Sequence, residues 1–187
     1  MAKHFFVYIF YVKRNDYHLF LLSLHQNYQT MKNKDEKFMR MAIDLAVENV
    51  ANGGGPFGAV IVKDGEVLAT GVNRVTANND PTAHAEVSAI RAACSKLHTF
   101  DLEGTTIYTS CEPCPMCLGA IYWAHISHVF CGCNKNDAED INFGDAFIYR
   151  ELDKPNEERQ LRQQFIMHDE ALRAFRAWSA KEDKIEY

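Results

Sequence analysis

Three residues whose side chains bind metals stand out by their spacing. His84 lies in the run TAHAEV, and Cys114 and Cys117 lie three residues apart in PCPMC. Imidazole nitrogen and thiolate sulfur are ligands that zinc prefers, and three protein ligands leave the fourth tetrahedral position open for water. Cysteines at this interval share one face of a helix, so both sulfurs can bind one ion. The pattern predicts a catalytic zinc site with His84, Cys114 and Cys117 as ligands.

The position of Glu86 predicts an acid–base role beside that metal. Glu86 lies two residues after His84, so on a regular helix it points to a different side and is a poor candidate for a fourth ligand. A carboxylate next to a metal-activated water can accept a proton and deliver it to the substrate. The combination His-x-Glu and Pro-Cys-x-x-Cys is the motif of zinc nucleobase deaminases. We therefore expect Glu86 to be the proton shuttle in hydrolysis of an exocyclic amine.

The remaining cysteines leave one rival arrangement open. A closed site of four sulfurs, from Cys111, Cys114, Cys131 and Cys133, would make the chain a structural zinc module without catalysis. The close spacing of most cysteines suits metal binding in a reducing compartment better than a set of disulfides. We therefore expect a cytoplasmic protein, with Cys94 and Cys131 as buried apolar residues.

Helix and strand signals alternate along most of the chain. Residues 35–52 have helical periodicity and end at glycines, and Asp64-Gly65 joins two β-rich runs as a hairpin turn. Residues 75–81 form a predicted loop, and a helix from about Thr82 to Leu97 carries His84 and Glu86 in its first turn. Further strands are predicted at residues 105–110 and 128–132, with a helix starting at residue 115 between them and an amphipathic helix near the end. This order predicts an α/β fold, a three-layer α/β/α sandwich with a mixed central sheet.

Composition limits the size and the partners of the protein. The length of 187 residues favours one compact domain. The formal net charge of −5 favours a small neutral substrate over a nucleic acid.

Residues 1–30 are aromatic-rich, but a polar break divides them, so neither a membrane span nor a secretory signal is expected. Met31 opens an ordinary helix-forming sequence. We therefore expect residues 1–30 to be an extension that results from a misassigned start, and residues 31–187 to form the deaminase domain.

From about residue 35 onward, the sequence resembles the cytidine and deoxycytidylate deaminase superfamily and, within it, the guanine deaminases of the bacterial type. The runs that carry the resemblance are GGPFGAVIVKDG, NDPTAHAEV, YTSCEPCPMCLGAIYWA and FIYRELDKP. The resemblance implies a three-layer sandwich, one zinc ion per chain, and a homodimer. In that dimer the C-terminal segments are exchanged between protomers and help to close each active site.

The resemblance also implies four substrate contacts. Asn73 would bind the purine edge, Ala85 would offer a backbone contact, Asp145 would contact the substrate, and Tyr187 would reach the site of the partner protomer. The family pattern around Asp145 is FDDSF, whereas this chain has FGDAF. The implied reaction is hydrolysis of guanine to xanthine and ammonia in a cytoplasmic enzyme. Alternative substrates are guanosine, cytosine or cytidine, and the adenosine of a tRNA.

Overall fold

A computed structural model describes residues 2–186 of the chain, and the side chains of residues 19–26 and 28–186. The helices are α1 (Ala2–Ala51), α2 (Val75–Asn78), α3 (Ala85–Leu97), α4 (Pro115–Trp123), α5 (Lys135–Asp140), α6 (Ala146–Leu152) and α7 (His168–Ala180). The strands are β1 (Gly58–Lys63), β2 (Glu66–Val72), β3 (Thr105–Cys111) and β4 (His128–Cys133). No helix in the described part of the chain is long and apolar enough to cross a membrane.

The four strands form one mixed sheet in the order β2-β1-β3-β4. β1 pairs antiparallel with β2 and with β3, whereas β3 pairs parallel with β4. Asp64 and Gly65 both have positive φ, at 52° and 81°, which is the geometry of the tight hairpin turn expected from this dipeptide. The predicted mixed sheet and its hairpin are confirmed.

Helices cover both faces of the sheet, because the side chains of β1 alternate between two apolar cores. Ala59 and Ile61 pack in a core with residues of α3 and α4. Val60 and Val62 face the opposite side, where they pack with Phe38 of α1. This alternation follows from the two-residue period of a strand. The predicted three-layer sandwich is therefore confirmed.

The sequence prediction was wrong about two local features. The first helix begins at Ala2 instead of near residue 35, because residues 2–51 contain no glycine or proline that would end it. The predicted loop at residues 75–81 contains the single helical turn α2, which ends where Asn79 adopts a left-handed conformation. The predicted end of the first helix is confirmed, with Gly53 at φ 81°.

Gly71 lets β2 and α3 approach each other closely enough to place the zinc-site helix on the sheet. A Cβ atom at this position would lie 2.1 Å from the carbonyl oxygen of Ala85 and 2.5 Å from the nitrogen of Ala89. We predict that Gly71→Ala lowers the free energy of unfolding by about 1–3 kcal/mol or more, because backbone atoms must move. Urea unfolding of the zinc-free protein measures the change.

Gly119 is the matched control for this substitution. A Cβ atom there meets no atom within 4 Å, and Gly119 lies inside α4. Gly119→Ala should therefore stabilise the protein by about 0.5–1 kcal/mol through its better helix propensity. Equal unfolding midpoints for the two variants would contradict the close approach of β2 and α3.

Candidate active site

Two helix N-termini position the predicted zinc ligands. His84 is the N-cap residue of α3, and Cys114 is the N-cap residue of α4, which begins at Pro115. Both caps have extended backbone geometry, so their side chains lie at the open ends of the helices. His84 therefore precedes α3, whereas the sequence prediction placed it in the first turn. The partial positive charge of a helix N-terminus stabilises a thiolate there.

The side chains of His84, Cys114 and Cys117 come together at this point. Their ligand atoms all lie within 4.8 Å of one another. Nδ1 of His84 lies 3.6 Å from Sγ of Cys114, close to the separation of about 3.6 Å that tetrahedral zinc imposes on a nitrogen and a sulfur ligand. The donor set and its spacing thus fit a zinc ion. His84 and Cys114 also help to line a cavity beside this site.

The two sulfur atoms are arranged to hold negative charge. Hydrogen bonds from Cys117 and His84 lower the pKa of Cys114 to about 4, against the cost of burial. The same contact raises the pKa of the buried Cys117, because one proton is shared between the two thiols. The hydrogen bond with Cys114 also raises the pKa of His84. A divalent cation would replace these shared protons, since zinc binds thiolate and neutral imidazole.

Glu86 lies in the first turn of α3 and lines the same cavity. Its side chain is 5% exposed, and burial raises the pKa of its carboxyl group. Oγ1 of Thr109 donates a hydrogen bond of 2.9 Å to Oε1 of Glu86. A buried carboxyl group with a raised pKa, next to a metal site, is suited to accept and release a proton.

The cavity in front of the ligands has a volume of about 590 Å³, enough for a small heterocycle. Phe57, Phe143 and Ile148 supply apolar walls, and Phe57 and Phe143 pack edge to face at 5.1 Å. Asn73 and Asp145 also line the cavity and supply polar groups. The cavity therefore combines flat apolar walls with a few polar groups that can fix the orientation of a ligand.

The other two residues that the resemblance implies as substrate contacts are Ala85 and Tyr187. Ala85 is the first residue of α3, with a fully buried side chain, and its backbone N–H is one of those that the first turn of a helix leaves without an intrahelical acceptor. Tyr187 lies outside the described residues.

Asn73 is held in place by Asn49 at the end of α1. Nδ2 of Asn49 donates hydrogen bonds of 2.8 Å to the carbonyl oxygens of both Asn73 and Gly55. Oδ1 of Asn73 accepts a hydrogen bond of 3.3 Å from the nitrogen of Val75. Asn73 is 7% exposed. Asn73 therefore lines the cavity from a backbone that hydrogen bonds hold in place.

Asp145 lines the cavity and has one carboxylate oxygen without a hydrogen-bond partner. Oδ1 of Asp145 is buried, and no described residue donates a hydrogen bond to it. Burial raises the pKa of this carboxyl group. A buried polar atom without a partner is costly unless a ligand or water supplies one. Asp145 is therefore suited to accept a hydrogen bond from an N–H group of a ligand.

Phe57 and Glu112 also line the cavity, although the sequence motifs pointed to neither residue. Glu112 directly precedes the Pro-Cys segment, and its carboxylate accepts hydrogen bonds from the backbone nitrogen and from Nζ of Lys135. Phe57 lies between the glycine run and β1. The sequence signals that could have identified them were the metal motif next to Glu112 and the glycine run next to Phe57. Only the fold shows that both residues line one cavity.

The four-sulfur alternative is not supported. Cys131 and Cys133 lie exposed on the edge strand β4, and Sγ of Cys111 contacts the carbonyl oxygen of Asn134. Within residues 19–26 and 28–186, only His84, Cys114 and Cys117 form a group of at least three potential metal ligands. The expectation that Cys131 is buried was wrong, because β4 is an edge strand with exposed side chains throughout.

Comparison with known proteins agrees with this geometry. The family described as the cytidine and deoxycytidylate deaminase zinc-binding region matches residues 32–133, which include all three ligands and Glu86. The chain belongs to this deaminase family. As a member, it is a zinc-binding protein, with His84, Cys114 and Cys117 as the site that the structure brings together.

Individual relatives of this deaminase cover most of the chain. Guanine deaminase of Bacillus subtilis strain 168 is 54% identical over 153 residues, which are 81% of this chain and 98% of the relative. Its crystal structure superimposes with a TM-score of 0.79 over the same shares of the two chains.

Two further relatives are more distant. The tRNA-specific adenosine deaminase of Aquifex aeolicus is 35% identical, over 73% of this chain and 87% of the relative. A solved structure in complex with 2,6-diaminopurine is 36% identical, with a TM-score of 0.58, over 59% of this chain and 62% of that one.

Proposed function

We propose that the chain hydrolyses guanine to xanthine and ammonia. The observation that carries this proposal is the match to nearly the whole of a guanine deaminase at 54% identity, in a chain whose zinc ligands and buried glutamate line one cavity. The 2,6-diaminopurine bound to another relative agrees with a purine ligand. A net charge of −5 disfavours a tRNA substrate.

The reaction needs a nucleophile and proton transfer at the carbon that carries the amine. Zinc held by His84, Cys114 and Cys117 would supply a Lewis acid that lowers the pKa of water. The carboxylate of Glu86 accepts the proton of the attacking water at one oxygen. It delivers this proton to the ring nitrogen, then takes up the remaining proton of the hydroxyl group added to the ring carbon and passes it to the amine, which leaves as ammonia. The raised pKa of Glu86 favours both halves of this relay.

Asn73, Ala85 and Asp145 would orient the purine. Oδ1 of Asn73 accepts from Val75, and no described residue accepts a hydrogen bond from its Nδ2, which leaves this group to donate to a purine acceptor atom. The carboxylate of Asp145, a residue that lines the cavity, would accept a ring N–H. The backbone N–H of Ala85 offers a further donor near the metal. Phe57 and Phe143 would form an apolar wall against the flat ligand.

We predict that Asp145→Asn lowers kcat/KM for guanine by about 10–100-fold, the effect of losing a hydrogen bond to a charged group. The substitution keeps the shape but turns one acceptor oxygen into a donor. Steady-state kinetics with zinc-loaded protein measures the change. Asp140→Asn, on the exposed surface of α5, is the control and should match the wild type. Unchanged kcat/KM in Asp145→Asn would remove Asp145 from the binding site.

The substrate is tested by measuring ammonia release from guanine, guanosine, cytosine, cytidine, adenine and adenosine. The proposal predicts release from guanine, with the nucleosides much slower. Rapid release from cytosine or from a nucleoside, with guanine inert, would keep the zinc chemistry and overturn the substrate. Adenosine in a tRNA anticodon stem-loop is the remaining alternative. Its turnover would fall steeply with added salt.

A homodimer with exchanged C-terminal segments is supported by apolar surface that one chain leaves uncovered. No residue of α7 is buried. Phe165, Ile166 and Phe175 are at least 70% exposed, and Tyr122 on α4 is 75% exposed. Apolar surface of this extent marks an interface. We expect light scattering to give twice the chain mass of 21.4 kDa, whereas a monomer at micromolar concentration would contradict the dimer.

Mixed dimers test whether Tyr187 acts in the partner's site. Glu86→Gln lacks the shuttle but has Tyr187, and Tyr187→Ala has the shuttle but lacks the tyrosine. If the segments are exchanged, mixing the two inactive variants under conditions that allow subunit exchange restores part of the activity. If Tyr187 serves its own chain, mixing restores nothing.

We also propose that the deaminase domain spans residues 31–187 in the cytoplasm. The family match begins at residue 32, and all six cysteines are free thiols, which suits a reducing compartment. A variant that starts at Met31 should retain the full kcat for guanine. Loss of activity in that variant would assign residues 1–30 a part in the domain.

A further inference from the structure

Thr109 places a hydroxyl group in the interior of the sheet. It lies on β3, where it is paired with Ala59 of β1 on one side and with Cys131 of β4 on the other. Its side chain is 1% exposed. A buried hydroxyl group is costly without a partner, and here that partner is Oε1 of Glu86 at 2.9 Å.

Few groups can hold the Glu86 carboxylate in one orientation. Besides Thr109, the thiol of Cys117 lies near enough to act as a donor to it, as does the backbone of Glu86 itself. Cys117 is a ligand in the proposed zinc site, and a thiolate ligand has no proton to donate. Thr109 is then the one side-chain donor among these groups that remains when the metal is bound.

Thr109 acts from outside the cavity. It is absent from the residues that line it, whereas Glu86 is among them. Because strands pair on both sides of β3, the backbone of Thr109 is fixed. A β-branched side chain also has few rotamers. The hydroxyl group is therefore a rigid point from which the carboxylate can be oriented without any contact with the substrate.

We propose that Thr109 is a positioning residue that binds Oε1 of Glu86 and thereby directs the other oxygen, Oε2, toward the reacting atoms. The inference rests on the proposed role of Glu86 as proton shuttle. With Oε1 held, the carboxylate has one free oxygen and one rotamer, so the proton moves between fixed positions. General acid–base catalysis requires this alignment within hydrogen-bond distance.

Two variants separate the hydroxyl group from the rest of the side chain. Thr109→Val keeps the shape and the β-branch but removes the donor, and Thr109→Ser keeps the donor but removes a methyl group. We expect Thr109→Val to lower kcat for guanine by about 10–100-fold, as for loss of a hydrogen bond to a charged group. KM and zinc content should stay within about twofold. Thr109→Ser should keep kcat within about threefold of the wild type.

Structural readouts complete the test. A crystal structure of zinc-loaded Thr109→Val should show the Glu86 carboxylate rotated or in more than one conformation. If kcat of Thr109→Val equals that of the wild type, or if Thr109→Ser falls as far as Thr109→Val, the positioning role is wrong. If the wild type releases no ammonia from guanine, the proposed function fails instead. Should Thr109→Val not fold, a Thr109→Ser variant with lowered kcat and an unmoved Glu86 would overturn the proposal.

Discussion

Replacing Glu86 by glutamine should lower kcat for guanine by at least about 10³-fold, within the range that general acid–base catalysis contributes. Glutamine has the size of glutamate, and its carbonyl oxygen can still accept the hydrogen bond from Thr109. It cannot accept and release a proton near neutral pH. Because Glu86 is not a zinc ligand in this account, the variant should still bind one zinc ion per chain. Steady-state kinetics and metal analysis of the same preparation measure both quantities.

The control for this substitution is Glu103→Gln, on the exposed connection between α3 and β3. It removes the same charge far from the ligands and should leave kcat unchanged. A Glu86→Gln variant that keeps a large share of the wild-type rate would show that another group moves the proton. A variant that loses zinc would instead place Glu86 among the ligands.

Replacing Cys117 by serine should abolish stoichiometric zinc binding and with it all measurable turnover. Cys117 is fully buried, and its sulfur lies within 4.8 Å of the other two ligand atoms. A serine hydroxyl group does not ionise near neutral pH, so the site loses one of its two anionic ligands. Metal analysis after dialysis should give little zinc, and the midpoint of thermal unfolding should no longer rise when zinc is added.

Cys131→Ser provides the comparison, because Cys131 is an exposed thiol on β4 outside the ligand group. That variant should bind zinc and turn over guanine as the wild type does. Loss of zinc from Cys131→Ser, with zinc retained in Cys117→Ser, would favour the four-sulfur site and contradict the ligand assignment.

The sequence predicted well those features that depend on local chemistry. Asp64-Gly65 specifies a hairpin turn through its own backbone preferences. The β-rich runs on either side pair with each other, so this hairpin depends on neighbouring residues alone. Pro115 after Cys114 marks a helix start, which in turn places Cys114 and Cys117 on one open end. The ligand set was therefore visible before the fold was known.

The sequence did not predict the features that depend on packing between distant segments. Cys131 has an apolar sequence context, but its strand lies at the edge of the sheet, so its side chain is exposed. In the sequence, Thr109 is an ordinary strand residue. Only the packing of α3 on β3 brings its hydroxyl group to the carboxylate of Glu86. Phe57 and Glu112 belong to different segments that meet only at the cavity. The spacing of residues along the chain does not predict such contacts between distant segments.

The most direct test of a zinc-dependent guanine deaminase is to add zinc stepwise to metal-free protein and to follow the conversion of guanine to xanthine by absorbance. We expect the initial rate to rise in proportion to bound zinc and to stop rising at one ion per chain. Conversion by the metal-free protein, or none by the zinc-loaded protein, would contradict it.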